Sequence, residues 1–395
     1  MQNAVFNFRK AKVATQAIFL VCGFGVSSWA PMVPFAKERL GLNDGNLGLL
    51  LLFLGAGSII LMPITGLLIL KIGTRSVMMY SVILIAITLP LLLIMKTWLG
   101  MGFTLFMFGS GIGAIDVAMN AHGVQIQNLY DKPIMSSLHG LFSVGGLFGS
   151  LGIGFLIKIG LVPVIGAIGI SILLLIIVFT QRKFLMDAQI EKEVIQKYSN
   201  INSPKEGKKN FWLNRRILFL GAMCFAVFLS EGAMLDWSAL FLRENKGIDI
   251  AISGIGYASF SLAMATMRLF GDRIVSKIEG NRVVIYGGII GATGLVIAIF
   301  TPWLMTALIG FVLLGVGAAN MVPVFFSEGG KVKNVSSSVA IPAITTLGFT
   351  GQLAGPALLG FIAHLFSLPI ALGFTAILLL FVSFAYWVKE YKKSR

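Results

Sequence analysis

Asp116 and Asn120 stand four residues apart in a long, glycine-rich apolar run, so a helix through that run carries both on one face. A carboxyl group surrounded by hydrocarbon can load and release a proton, and the neighbouring amide can hydrogen-bond to it or to a polar solute. Glu231 lies in a second apolar run. Asp236, five residues later, is rotated by roughly 500° around the same helix, so the two acids face different surroundings. Glu231 shares its face with Val227 and Met234 and reads as a cavity acid or an interhelix contact. Asp236 and Trp237 read as closer to the end of the run, where the aromatic anchors an interface and the acid serves as a gate. Arg268 and Asp272 are spaced i, i+4 and are expected to pair along their own helix, with a gate contact as the functional variant. Trp29, Asn320 and Gln352, the last between Gly351 and Gly355, complete the polar set expected at a cavity, although Gln352 also suits interhelix hydrogen bonding. His122 and His139 fall at the ends of runs, where capping or packing contacts are expected rather than a proton relay.

Covalent chemistry has no comparable set. The glycine-rich strings lack the Gly-Lys-Ser or Gly-Lys-Thr of a nucleotide loop, and no Ser-His-Asp set, zinc spacing or dinucleotide fingerprint occurs. The two cysteines, Cys22 and Cys224, form neither a disulfide framework nor a metal pattern. The chain reads as no enzyme, with no cofactor and no metal.

The elements that position these residues follow from composition. Of 395 residues 57% are hydrophobic and 12% charged, against roughly 45–50% and about 25% in a soluble domain, which excludes a soluble enzyme. A membrane span needs about 20 mostly apolar residues, and twelve runs qualify. They are Ala14 to Phe35, Leu47 to Leu70, Val77 to Met95, Trp98 to Gly123, Ile134 to Ile157 and Val162 to Thr180. After a polar stretch come Ile217 to Phe241, Ile252 to Ile274, Val283 to Phe300, Leu304 to Phe326, Val339 to Phe366 and Leu368 to Val388. They are called spans 1 to 12 below. The fold class is therefore all-α and integral to a membrane.

Charge sets the orientation. With both termini cytoplasmic, 24 of the 31 basic residues fall on the inner side and six on the outer, with Arg268 inside a span. The net charge of +15 is thus an insertion signal, and no nucleic-acid partner is needed. The first span follows basic residues as a signal peptide does, but Trp29, Pro31 and Pro34 stand where a cleavage site would have small residues, so it reads as retained.

A shift of about 204 residues superposes the two halves. Gly111-Ile-Gly113-Ala114-Ile-Asp116 matches Gly315-Val-Gly317-Ala318-Ala-Asn320, which makes Asn320 the mate of Asp116. Lys71-Ile-Gly73-Thr-Arg75 matches Lys277-Ile-Glu-Gly280-Asn-Arg282, and Ser143, Gly146, Gly149 and Leu151 match Thr345, Gly348, Gly351 and Leu353. Two pseudo-symmetric six-helix bundles, residues 1–180 and 217–395, are expected to flank a cytoplasmic linker at 181–216, read as solvated with one amphipathic helical piece.

Twelve spans in two halves with a basic turn after span 2 resemble the Major Facilitator Superfamily over the whole chain. Its signature turn reads Gly, three residues, Asp, basic, any, Gly, basic, basic. The matching segment, Gly66 to Arg75, has Leu70 at the acidic position and Thr74 at one basic position. The strings Gly113 to Asn120, His139 to Gly146 and Glu231 to Ser238 resemble the MosC-like branch, whose named member is linked to an inositol-like amine. More distantly, Asp116 and Asn120 resemble the span 4 pair of the proton-coupled fucose permease, and Pro323 and Ser327 fit the same comparison. The resemblance implies alternating access in a bacterial inner membrane by a monomer, with protons, the lipid bilayer and a small solute as partners. It implies import of a sugar, cyclitol or amino-sugar, with Asp116 and Glu231 as proton-coupling candidates, Trp29, Asn120, Asn320 and Gln352 at the solute, and Lys71, Arg75, Asp236, Arg268 and Asp272 as gates. A proton-antiport exporter of amphipathic compounds is the alternative. Against it, span 5 lacks the Gly-Pro pair common in antiporters, which occurs here as Gly355-Pro356 in span 11.

Overall fold

A computed structural model of the chain describes residues 8–130, 134–199, 214–270, 277–329, 332 and 337–393, and among these there are helices and no strands. Inside a bilayer every backbone N–H and C=O must find a partner within the chain, which a helix supplies segment by segment. Among the described residues eleven helices are long and apolar enough to cross a membrane. The twelfth span is contained in one of them: Asp44–Ile94 runs for 51 residues, interrupted at Gly73, whose φ of 78° lies in the left-handed region. A straight helix of that length would extend about 75 Å, far beyond a hydrocarbon core of about 30 Å. Spans 2 and 3 meet at this glycine.

The chain forms two compact units, one of Met1–Met32 with Phe53–Ser203 and one of Val33–Leu52 with Pro204–Arg395. In the first, span 1 is the helix Phe8–Ser27, which ends before Trp29 and passes into a 3-10 turn at Ala30–Met32. Trp98–Tyr130, Met135–Lys158 and Pro163–Gln181 form spans 4, 5 and 6. The linker then forms a helix at Ala188–Ser199, and Glu191 and Val194 on one of its faces are buried. The helical piece is present but docked, not solvated; residues 200–213 lie outside the described residues.

The second unit contains span 7 as Arg215–Lys246, opened by Asn214, whose Oδ1 accepts from the backbone N–H groups of Arg216 and Ile217. Span 8 is Ile255–Leu269 and span 9 Gly280–Phe300. Span 10 is broken at Ala319-Asn320 into Leu304–Ala318 and Met321–Gly329, and Ser337–Leu365 and Leu368–Lys393 form spans 11 and 12.

Small residues bring the helices of each unit together. In the first, a methyl group added at Gly149 would meet the carbonyl oxygen of Phe24, so span 5 lies backbone to backbone on span 1. In the second, a methyl group at Gly351 would meet the carbonyl oxygen of Phe225, so span 11 lies in the same way on span 7. Gly149 and Gly351 are repeat mates. The internal similarity of the sequence is thus expressed as the same helix packing in both units.

Candidate functional site

In the first unit Asp116 lies midway along span 4, half-buried, beside a close crossing with span 2. A methyl group at Gly113 would sit 2.7 Å from Ser58 Cα, and Ser58 Oγ donates to the carbonyl of Gly109 at 2.7 Å. Asn120 Nδ2 donates to Asp116 O at 2.9 Å and to Asp116 Oδ1 at 3.2 Å, the i, i+4 contact expected from their spacing. Among the described residues Asp116 forms no ion pair. Trp29 is fully buried where the span 1 helix ends, and its indole N–H has no hydrogen-bond partner among the described residues.

In the second unit an ion pair joins two of the polar residues. Arg268 of span 8 donates through Nη2 to both carboxylate oxygens of Glu231 on span 7, at 3.3 and 3.4 Å. Both side chains are less than one-fifth exposed. Arg268 therefore pairs across to span 7, where the i, i+4 spacing suggested Asp272, a residue outside the described ones. Helix spacing specifies which residues share a face and is silent on what the next helix presents. Beside Arg268, Asn320 Nδ2 donates to the carbonyl of Met267 at 3.3 Å, tying the break in span 10 to span 8. Beside Glu231, Gln352 of span 11 packs on Gly232, where an added methyl group would lie 3.2 Å from its carbonyl oxygen. Asn320 and Gln352 thus contact the chain neighbours of Arg268 and Glu231, Met267 and Gly232.

Trp237 corrects an expectation. It is fully buried, and Asp236 is 5% exposed, so this aromatic is no interfacial anchor. The reason is length: span 7 continues to Lys246, which leaves Trp237 about 13 Å from the helix end.

The turn between spans 2 and 3 carries Lys71, exposed, and Arg75, half-buried. Between them Thr74 is fully buried. Its hydroxyl lies 2.9 Å from Nδ1 of His122, and both that hydroxyl and its backbone N–H donate to Glu191 of the linker helix. His139 packs edge-on against Phe19, with ring centroids 5.4 Å apart. Each histidine thus contacts a side chain on another span, and the span 4 helix runs past His122 to Tyr130.

The charged groupings among the described residues that sequence reasoning did not find include two that matter here. One is Glu191, 66 residues from Gln125 and 117 from Thr74; its only signal was an apolar residue, Val194, three positions on. The other lies in the second unit, where Lys37 Nζ sits 2.6 Å from both Asp44 Oδ1 and Glu244 Oε1, and Arg243 Nε lies 3.3 Å from Glu38 Oε1. Residues 33–52 belong to this unit although spans 1 and 2 largely belong to the other. No local pattern marks a partner 207 residues away.

Comparison with known proteins gives this arrangement a family. The family model described as Major Facilitator Superfamily matches residues 17–333. An uncharacterized MFS-type transporter of Yersinia pestis is 41% identical over 97% of this chain and 96% of its own length. The membrane protein MosC of Rhizobium meliloti is 28% identical, over 90% and 84% respectively. A crystal structure of the nucleoside transporter NupG superposes with a TM-score of 0.74 at 12% identity, covering 96% of this chain and 99% of that one. With twelve spans repeated as two sets of six and a matching model over most of its length, the chain belongs to the Major Facilitator Superfamily and is a multi-pass membrane transporter, not an enzyme.

Proposed function

We propose that this transporter imports a small polar solute, a sugar, cyclitol or amino-sugar, together with protons across a bacterial inner membrane, by alternating access of the halves 1–180 and 217–395. One contrast among the described residues carries the reading: Glu231 has Arg268 against it, whereas Asp116 has only an amide. A carboxylate inside a span is tolerated when a cation compensates it and is otherwise held most cheaply with a proton on it. Asp116 is therefore the proton carrier, and Glu231 with Arg268 forms a polar pair at the solute site. Asn120, Asn320, Gln352 and Trp29 supply neutral donors and acceptors suited to hydroxyl groups. Lys71, Arg75, Asp236 and Asp272 complete the gates, and the basic side of the molecule faces the cytoplasm. A monomer suffices for this cycle.

The test is proton movement in proteoliposomes loaded with a pH-sensitive dye. The panel comprises sugars, cyclitols, amino-sugars and lipophilic cations, with nucleosides added because NupG is named a nucleoside transporter. Inward acidification with a polar solute is expected, and Asp116→Asn is expected to abolish proton-driven accumulation while leaving solute exchange. Unchanged accumulation in that variant would remove Asp116 from the mechanism. Proton release driven by lipophilic cations would replace import with export.

A further inference from the structure

Glu191 is 2% exposed in the segment that joins the two six-span halves. A buried carboxylate is costly unless its oxygens are fully engaged, and here they are. Oε2 accepts from the backbone N–H of Thr74 at 2.8 Å and from the Thr74 hydroxyl at 2.9 Å, and Oε1 accepts from Gln125 Nε2 at 3.0 Å. All three donors belong to the cytoplasm-facing ends of spans 3 and 4 in the proposed orientation.

The location explains why an acid stands there. Span 3 begins directly after the left-handed Gly73, so the N–H of Thr74 has no acceptor within its own helix. Helix N-termini favour negative charge. The turn itself supplies none, since it contains Lys71 and Arg75 and has Leu70 where the family signature has its acid. The linker helix also approaches too closely for any side chain at position 73, where a methyl group would lie 2.8 Å from Ala188 Cβ and 3.2 Å from Glu191 Oε2.

The second unit independently builds the same kind of junction with the charges exchanged. Asn281 is the repeat mate of Thr74 in the Gly-x-Arg triplet. Lys389, near the end of span 12, lies 3.4 Å from Asn281 Oδ1 and holds Glu328, at the end of span 10, at 2.6 and 2.7 Å. In each unit, then, a charged residue in or after the sixth span ties the turn after the second span to the end of the fourth. In the second unit the tie belongs to a span helix; in the first it comes from the linker.

We propose that Glu191 is a positioning residue for transport. It docks the linker helix onto the turn after span 2 and supplies that turn's missing negative charge, so that the linker moves as part of the first unit and holds Gly73 to Arg75 in the shape the cycle requires. The role in turnover rests on the transport reading above; the docking does not.

The experiment uses the full chain in proteoliposomes with Val194→Cys, a buried position on the face of Glu191, against the two buried native thiols. Adding Glu191→Ala should raise maleimide labelling of that thiol at least tenfold and speed hydrogen exchange across residues 73–79. The exchange variant E191Q/Q125E keeps every hydrogen bond, since the amide introduced in the linker accepts from Thr74 and donates to the carboxylate introduced on span 4, and it keeps the negative charge within the cluster, one side chain further from the turn. It should restore labelling to within twofold. With a polar solute that drives proton movement, E191A should lower the maximal rate at least fivefold with half-saturation within twofold, and the exchange variant should recover it. Labelling unchanged in E191A, or not restored by the exchange, overturns the docking. A maximal rate unchanged after docking is lost overturns the positioning role. Silence across the solute panel would count against the transport reading alone, because labelling and hydrogen exchange need neither solute nor proton.

Discussion

Two carboxyl groups inside spans meet opposite treatment in this molecule. Among the described residues Glu231 is compensated by a guanidinium 3.3 Å away, and Asp116 by a single amide. Their sequence settings carried no hint of this difference, since both stand in apolar, glycine-containing runs. The pairing has an energetic signature that Asp116 lacks. Removing one partner of a buried pair leaves an uncompensated charge at a cost of about 3–5 kcal/mol, whereas removing both is often close to neutral. Arg268→Gln alone should therefore lower the melting midpoint in detergent well below wild type, and E231Q/R268Q should recover most of the loss. Equal midpoints for the single and double variants would mean that the pair is not desolvated. The candidate residues themselves were legible, because an ionisable side chain in a hydrophobic run is conspicuous. Their partners were not, because a partner is chosen by which helix faces meet.

At the scale of elements, the spans were legible to within about two helical turns at their ends, since a helix inside a bilayer is defined by a local run of apolar side chains. The departures occur where backbone geometry intervenes. Span 10 breaks at Asn320, and the linker helix docks where a solvated piece was expected. The repeat glycines are an element-scale device, and they distinguish close packing from mere flexibility. Gly149→Ala and Gly351→Ala each push a methyl group against a backbone carbonyl of the neighbouring span and should destabilise by about 1–3 kcal/mol. Gly66→Ala has open space around its added carbon and should be neutral or stabilising by up to about 1 kcal/mol. Thermal unfolding in detergent measures all three; a Gly66→Ala midpoint as low as the others would show that helix glycines are needed for flexibility and not for approach.

For the whole molecule, the asymmetry of basic residues predicts that both termini and the linker face the cytoplasm. A thiol at Lys96→Cys should react with an impermeant reagent applied to intact cells, and one at Gln189→Cys only after permeabilisation. Neither position is buried, whereas both native thiols are. The reverse pattern would invert the topology and with it the direction assigned to every gate.

The sequence by itself determined that this chain spans a membrane twelve times in two similar halves, how its basic residues divide between the loops, and which few residues are expensive enough to have a purpose. Those properties are written in one dimension: a run of about 20 apolar residues, a repeat at a fixed shift and a count of lysines and arginines between runs are each complete without knowing any contact. The tertiary structure alone decided that Arg268 answers Glu231, that Glu191 of the linker reaches Thr74 and Gln125, and that residues 33–52 pack with the second unit. Each of these depends on long-range geometry. In hydrocarbon a helix satisfies its own backbone but not its charged side chains, so a buried charge is matched wherever helix packing brings a partner within reach, however distant that partner is along the chain.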